Sequence, residues 1–505
     1  MLLMMDKIKN RYVNSETKKW MIVFSFFAAA VMAYYIRISM FHDGDWSFLL
    51  FEGRRIARGG IQYTNGASPV KGLHIVVQQW LYALIFYKVH EMTGWNGIFV
   101  MASLEMVLFT WLAVRLAEVH GHSETSSLGA ALITGMAYTM FVAAEKPQII
   151  TECLLMAEML CLEKYAQTER KKYLVFSVMT VIAEANFHVS TWLVHLLFAV
   201  PYMIPYDRLK IRIGRRDGHY AAVPVCLAGI AMFPASIMAP YGIDGSLYTF
   251  TAYATGMAKM GISELESPAL SSKICIMVLI FAACVFRQVR SEHAESFLTF
   301  LGSFAMFAVS MRNIQFLLIS AVPALAGFVH EMPLDRLSRL KKLKLRSLER
   351  VLYVPLLCGA VCLCVFSASV HISQTNSIIY PKYALKYLKR YEKNRHARIM
   401  TTFDTGSYME NAGYIISIDG RSEVWGKMMN RKVNMTKEYL KLNNDPSYSF
   451  FLKLRRKYRF QYIMANRGTP LQAMCEMDRT IHVVAEDRMC ALYKVFSNEP
   501  DPRYM

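Results

Sequence analysis

Apolar residues run along this chain in blocks of about 17–23, separated by short polar stretches. That is the spacing of helices that cross a bilayer, not of helices in a soluble core. The first block covers 20–38, and others lie near 96–114, 127–144, 148–163, 173–187, 189–206, 220–240, 270–286, 295–310, 314–330 and 351–372. A further apolar segment at 74–90 (HIVVQQWLYALIFYKVH) either crosses or only dips into the membrane, and the choice decides the side on which everything after it lies. From 373 onward the blocks stop. Strand-like runs (ARIMTTFD, GYIISIDG, FQYIMANRG, HVVAEDRMCALYKVF) alternate there with helical ones (PKYALKYLKRYEK, SYSFFLKLRRKYR), the pattern of a small α/β domain. The expected architecture is an all-α polytopic membrane bundle of about 11–12 spans over residues 1–372, followed by a soluble α/β domain over 373–505.

Composition supports the membrane reading: of 505 residues, 54% are hydrophobic, and the mean hydropathy is +0.25. The net charge of +19 raises nucleic acid as a partner. However, the basic residues sit in short loops between apolar blocks with few aromatics to stack on bases, so nucleic-acid binding is excluded in favour of the positive-inside bias. Lys7, Lys9, Arg11, Lys18 and Lys19 hold the N-terminus in the cytoplasm, as an uncleaved anchor with no small-residue cleavage site. Basic loops at Arg170-Lys171-Lys172, Asp207 to Arg216, Arg287 with Arg290, and Arg336 to Arg346 are also expected inside. The first loop (39–75), Lys146-Pro147, the loop 241–269, Arg312-Asn313 and the tail domain then lie outside. Eight of the ten cysteines fall in apolar blocks, and a Cys475–Cys490 disulfide is an option only for an exported tail.

Candidate chemistry concentrates in the first loop. Asp43 and Asp45 stand at the outer end of the first block, where an ionisable pair beside the bilayer needs a reason. Trp46, Leu49, Leu50, Gly53 and Ile56 then recur at helical spacing opposite Glu52, Arg54, Arg55 and Arg58, which predicts a short helix in the interface plane. Asp45 is placed to cap that helix, to act as a base, or both. Transfer of a sugar from a lipid phosphate needs a base for the acceptor hydroxyl and cations for the departing phosphate. Asp45 and Asp43 supply the first, and Arg54, Arg55, Arg58, Lys71, Lys146 and Arg312 the second, although for each basic residue taken alone contact with lipid headgroups is the better account. The DGD spacing could also hold a divalent cation, but two acids without further ligands make a weak site. Asn186, His188 and Glu105 are polar positions within or at the ends of apolar blocks, and Gln78 and Gln79 precede Trp80 at the mouth of the same region. No nucleotide-binding loop, zinc spacing or nucleophile elbow occurs, which argues against ATPase, nucleotide-sugar and protease chemistry, and no inverted repeat of broken spans suggests a transporter.

These motifs together resemble the C-type (GT-C) glycosyltransferase superfamily, which includes protein O-mannosyltransferases, aminoarabinose transferases and oligosaccharyltransferase catalytic subunits. The nearer resemblance is to a bacterial, largely uncharacterised branch whose first loop reads D-x-D-x-W-W-H-L-x-x-G-R-x-I before a HEWL-like segment. Asp43, Asp45, Leu50, Gly53, Arg54, Ile56, Trp80 and Leu81 match that pattern. Asn186 to His188 is similar to its N-x-H, Lys146-Pro147-Gln148 to its R-P-Q, and DTGSYM (404–409) and IDGRSEVWG (418–426) to its tail motifs. The resemblance implies a polyprenyl-phosphate-linked sugar donor, an extracytoplasmic acceptor and an acidic catalytic residue in the first loop. Two departures matter: Leu49 replaces the loop histidine and Gln78-Gln79 the His-Glu pair. They leave open a second class of function, a non-catalytic membrane scaffold or lipid-glycan-binding protein of the cell envelope.

Overall fold

The computed structural model describes residues 44–141, 146–206, 220–254, 267–269, 273–291, 293–331, 379–392, 396–427, 429–430 and 433–497. The first apolar block, the block at 351–372, the loop at 207–216 and Asp43 lie outside those residues.

The first loop folds as its pattern predicts. Helix α1 (Asp45–Gly59) ends where Gly60 takes a left-handed φ of 74°. A turn closed by Asn65 N–H to Leu73 O (2.8 Å) and Ile75 N–H to Tyr63 O (3.2 Å) leads on to α2 (Trp80–Val119). Helix α2 is broken at Gly94, whose φ of 63° and ψ of −156° no helical residue adopts. This break cuts the helical part of the segment at 74–90 short. Residues 74–79 are not helical, and 80–93 make a rod of only about 21 Å, well short of a hydrocarbon core of about 30 Å. That rod instead packs along α1. At Gly53 a Cβ would stand 2.1 Å from the carbonyl oxygen of Ala83, so only glycine lets the two helices come this close.

Six helices follow in chain order: α3 (Glu124–Phe141), α4 (Gln148–Thr168), α5 (Lys172–Phe187), α6 (Trp192–Met203) after a 3₁₀ turn at Val189–Thr191, and α7 (Ala222–Ser236) before the short α8 (Gly242–Ser246). Then come α9 (Tyr248–Ala254), α10 (Lys273–Ser291) and α11 (Ala294–Val309), a 3₁₀ turn at Met311–Asn313, α12 (Ile314–Ser320) and α13 (Val322–Glu331). Among the described residues only α2 is by itself long and apolar enough to cross a membrane. The stretch Met311–Ser320 with α13 qualifies as one broken span bent by 59°. Several expected spans fall short because acids interrupt them: α4, at 21 residues, carries Glu152, Glu158 and Glu163 on buried positions.

The tail begins with α14 (Lys382–Tyr391) and β1 (Arg398–Met400), followed by α15 (Phe403–Asn411), β2 (Ile415–Ile416), α16 (Met435–Asn444) and α17 (Tyr448–Tyr458). It closes with β3 (Tyr462–Asn466), α18 (Pro470–Met477), β4 (Ile481–Glu486) and β5 (Cys490–Val495). All four strand-like runs of the sequence are strands, the last folding into the β4–β5 hairpin. The sheet order is β2-β1-β3-β5-β4, with β1 parallel to both neighbours and the β3–β5–β4 half antiparallel. Cys475 and Cys490 are separate buried thiols on α18 and β5 rather than a disulfide. The tail does not stand apart as the composition shift suggested. One apolar core continues from Val181 and Ala185 on α5 through Leu73, Ile75 and Val77 of the first loop into Ile463 and Leu492 of the sheet. Burying apolar area on both sides of the loop is favourable, and it makes the loop the mortar between bundle and tail.

The α1–α2 contact gives the first expected outcome. Gly53→Ala forces the helices apart and should destabilise the chain by about 1–3 kcal/mol, the usual cost of overpacking. A detergent-solubilised protein whose melting temperature is unchanged by this substitution would show that the two helices are not held at this distance.

Candidate active site

Lys146 stands immediately before Pro147, whose φ of −62° suits the entry to α4. Its Nζ lies 2.7 Å from Asp45 Oδ2, with both side chains partly exposed. The structure moves Asp45 by one position from the expected cap: Gly44 is the N-cap of α1 and no side chain caps that helix. Asp45 opens the first turn instead, where the helix N-terminus favours a negative charge. Its orientation is set by Lys146, from a segment about 100 residues later in the chain, through the strong, short hydrogen bond that two opposite charges form.

One turn further along α4, Thr151 hydrogen-bonds two groups of the neighbouring helix end. Its hydroxyl donates to Glu184 Oε1 (2.7 Å) and lies 3.1 Å from His188 Nδ1. The other ring nitrogen of His188 is 3.1 Å from Ser190 Oγ. Both nitrogens are thus engaged, and the imidazole sits buried at the break between α5 and α6. Behind it, Glu184 also accepts from Thr191 and lies 3.8 Å from His195, whose other nitrogen meets Glu158 Oε2 at 2.6 Å. Asn186, by contrast, spends its amide on the carbonyls of Ile182 (2.8 Å) and Met238 (3.0 Å), an interhelical tie without access to the site.

His188 opens onto a cavity of about 220 Å³. Its polar wall consists of Gln78, Ser190, Arg312, Asn313 and Gln315, together with Glu423 from the tail. Leu193, Val194 and Leu197, on one face of α6, make the apolar wall. Leu197 is 46% exposed, so this wall runs out to the surface of the bundle. The backbone also knits the rim: Val189 N–H donates to Gln78 O at 2.9 Å. The sequence-derived set therefore gathers in two adjoining places, Asp45 with Lys146 and His188 with Arg312 and Gln78, joined by the first turn of α4.

Other expected residues do different work. Arg54 donates to the Asn411 carbonyl of the tail (2.7 Å). Arg55 is folded back on its own loop, bonded to Gln62 Oε1 (3.1 Å) and Thr64 O (2.8 Å), paired with Glu52 (3.3 Å) and stacked on Phe51. Neither guanidinium lines the cavity. Arg58 and Lys71 are exposed on the loop surface, away from the cavity wall, and Gln79 is buried beside Glu52 and Arg421.

The two tail motifs grip α1. Arg421 donates to Glu52 Oε1 at 2.7 Å and also pairs with Asp419 and Glu410, while its guanidinium lies over Phe48, 5.2 Å from the ring centre. Trp425 Nε1 donates to Asp419 Oδ1 (2.9 Å), and Trp46 of α1 meets Tyr408 edge-on at 5.5 Å. Burial raises the Asp419 carboxyl, but Arg421 outweighs it and holds the group below the usual carboxylate range. Glu410 goes the other way: burial, with the nearby charges of Asp419 and Glu52, pushes its carboxyl well above that range despite Arg421. Two further ties anchor the tail, Ile416 N–H to Ala67 O (2.7 Å) and His74 N–H to Asn430 Oδ1 (2.7 Å). Glu423 accepts from Tyr248 of α9, and burial raises its carboxyl.

Solved structures share this overall fold. The crystal structure of the Archaeoglobus fulgidus oligosaccharyltransferase, tethered by a disulfide to an acceptor peptide containing the NVT sequon, matches 87% of this chain over 69% of its own. The TM-score is 0.55 at 8% identity. ArnT from Cupriavidus metallidurans in the apo state matches 95% of this chain and 99% of its own, with a TM-score of 0.54 and 11% identity. The chain has the GT-C glycosyltransferase fold. A mycobacterial arabinofuranosyltransferase, AftD, matches 96% of it at a TM-score of 0.51 and 14% identity, although the chain spans only 42% of that larger protein. No protein-family model and no curated protein sequence matches. The GT-C resemblance read from short motifs is thus met at the level of fold.

Sequence reasoning missed Thr151, Glu184, Glu158, His195, Glu423 and the anchoring role of Arg421. A signal was present for the first group, since Glu184–His188 and Thr191–His195 each repeat a polar pair at i,i+4 inside apolar blocks.

Arg421→Met should leave Glu52 and Asp419 buried without their cation and cost about 3–5 kcal/mol. Limited proteolysis is expected to release the tail of this variant under conditions that leave the parent intact. The same linkage gives a pH dependence. Because the Asp419 carboxyl is depressed in the folded state, its contribution is present above the ordinary aspartate range and is lost as pH falls through the lowered value. Melting temperature should therefore drop on acidification in the parent and less so in Asp419→Asn.

Proposed function

We propose that this chain is an integral-membrane glycosyltransferase that moves a sugar from a polyprenyl-phosphate-linked donor onto an extracytoplasmic acceptor, with Asp45 as the general base. The observation that carries the reading is the 2.7 Å pair of Asp45 and Lys146, linked along the first turn of α4 through Thr151 to His188, which lines a cavity with one polar and one apolar wall. A base needs a fixed carboxylate beside the reacting hydroxyl, and Lys146 supplies the fixing. Arg312 and His188 suit the phosphate of the donor, with Gln78 and Asn313 as polar contacts for the sugar. Leu193, Val194 and Leu197 offer the beginning of the prenyl chain a path from cavity to bilayer.

The helix order supports a multi-pass arrangement of about 11 spans, with the interfacial rod 80–93 left out of the count. That exclusion reconciles the apolar segment with the four basic loops, so that the N-terminus stays cytoplasmic while the first loop, the cavity and the tail face outward. Asp43 stays a second candidate base, and a divalent cation at the two aspartates a further option. Arg58 and Lys71, on the exposed loop surface, suit lipid headgroups.

Two experiments test this reading. Asp45→Asn should keep folding and abundance, because Gly44 and not Asp45 is the cap, while transfer from undecaprenyl-phosphate sugars in membranes falls by roughly 10²–10⁴-fold, the worth of a general base. Loss with Asp43→Asn alone would reassign the base to Asp43. Full activity of both variants would leave a scaffold in place of an enzyme. Orientation is read from a single cysteine placed on the tail surface. Ser449 is exposed, and the tail cysteines Cys475 and Cys490 are buried. Ser449→Cys is expected to react with an impermeant maleimide in intact cells, and reaction only after lysis would reverse the topology.

A further inference from the structure

At the far end of the bundle, three chain segments bring metal-binding side chains together. Glu163 lies on α4 about 22 Å beyond Gln148 at 1.5 Å per residue, well away from Lys146 and His188. His120 caps the C-terminus of α2, and His293 occupies the N-cap position of α11. One ligand atom from each of the three lies within 4.8 Å of the other two. His293 Nδ1 is 2.8 Å from Glu163 Oε1, and the two imidazole rings are 5.3 Å apart between centres.

We infer that His120, Glu163 and His293 form a zinc site that ties the ends of α2, α4 and α11 together. Two imidazoles and one carboxylate are a donor set that borderline divalent metals prefer, whereas calcium and magnesium seek all-oxygen shells. A tetrahedral zinc about 2.1 Å from each donor holds the donors about 3.4 Å apart, so the cluster has to close by little more than an ångström. Outer contacts are already in place. Tyr202 donates to the second carboxylate oxygen of Glu163 (3.1 Å), and Gln167 bridges Glu163 Oε1 (3.4 Å) to the Val119 carbonyl at the end of α2 (2.7 Å). Such outer partners orient metal-binding carboxylates and fix their geometry. Glu163 is buried while the two histidines are half-buried, which gives an ion a way in and leaves a fourth position for water. Nothing here depends on the proposed transferase activity. The site's effect is on stability, by joining helices that no short loop connects.

The test uses the full chain in detergent, stripped with chelator and reloaded with Zn²⁺ or Co²⁺. The parent should bind one metal per chain, give the visible d–d absorption of tetrahedral cobalt, and melt at a higher temperature with zinc than without. His120→Ala, His293→Gln and Glu163→Gln should each weaken zinc binding by more than the roughly 10–100-fold that changes to outer-shell groups cost, and should abolish the zinc-dependent shift. Ser449→Ala, on the exposed surface of the tail, should leave both unchanged. Glu163→Gln also removes a buried charge, so the two histidine variants, judged by monodisperse elution, carry the conclusion if that protein does not fold. A parent that binds no zinc above the background of the histidine variants, or histidine variants that keep the parent's affinity and thermal shift, would overturn the site.

Discussion

The charge of Arg421 fixes how the tail sits on the first loop. Its guanidinium reaches Glu52 of α1, Asp419 of its own loop and Glu410 of α15, three acids from three elements, with the Phe48 ring beneath it. A lone buried cation would be costly, and so would Glu52, 1% exposed, without one. Each makes the other tolerable only in the docked arrangement. Charge pairing of this kind adds little net stability relative to apolar packing, but it fixes register, because the guanidinium can meet all of its acids in one geometry. Once α1 is seated, Asp45 is aimed, Gly53 is pressed on Ala83 and the first loop can bury Leu73, Ile75 and Val77 between bundle and tail.

Elements governed by local pattern were legible in the sequence. The amphipathic helix after Asp45, the strands of the tail and the alternation of apolar helices all follow from periodicities of 3.6 and 2. The fate of 74–90 was not, because an apolar run of that length fits a crossing as well as an interfacial rod. What bears on it is one backbone angle at Gly94 and the contact of Gly53 with Ala83, neither of which hydropathy records. The site was half legible for the same reason. Asp45, Lys146, His188 and Arg312 are polar groups at the ends of apolar blocks, so they stand out in one dimension. Arg54 and Arg55 stand out equally, yet their partners are a carbonyl of the tail and a neighbouring turn. Charge in a sequence marks that a group needs a partner without saying whether the partner is a ligand or the protein itself.

The ionisable residues buried within the bundle obey the same logic. Glu158 finds His195, Glu184 finds Thr151 and Thr191, and Glu163 finds His293 and Tyr202. Each is matched by a neighbour from another helix, so the acids that shorten the apolar runs also specify which helices pack together. Hydrophobicity given up for crossing the bilayer is exchanged for a defined order of contact.

Glu423 is part of the cavity wall, and Gln78 faces it from the other end of the chain. A ribosome has therefore made every helix of the bundle before the last wall residue exists. The pocket cannot be assembled gradually along with the spans: it forms at one moment, when the tail folds back onto the first loop. Nascent or truncated chains carry the acidic and basic groups without the enclosed space between them, so the pocket is timed by the completion of the final domain rather than by the making of the bundle.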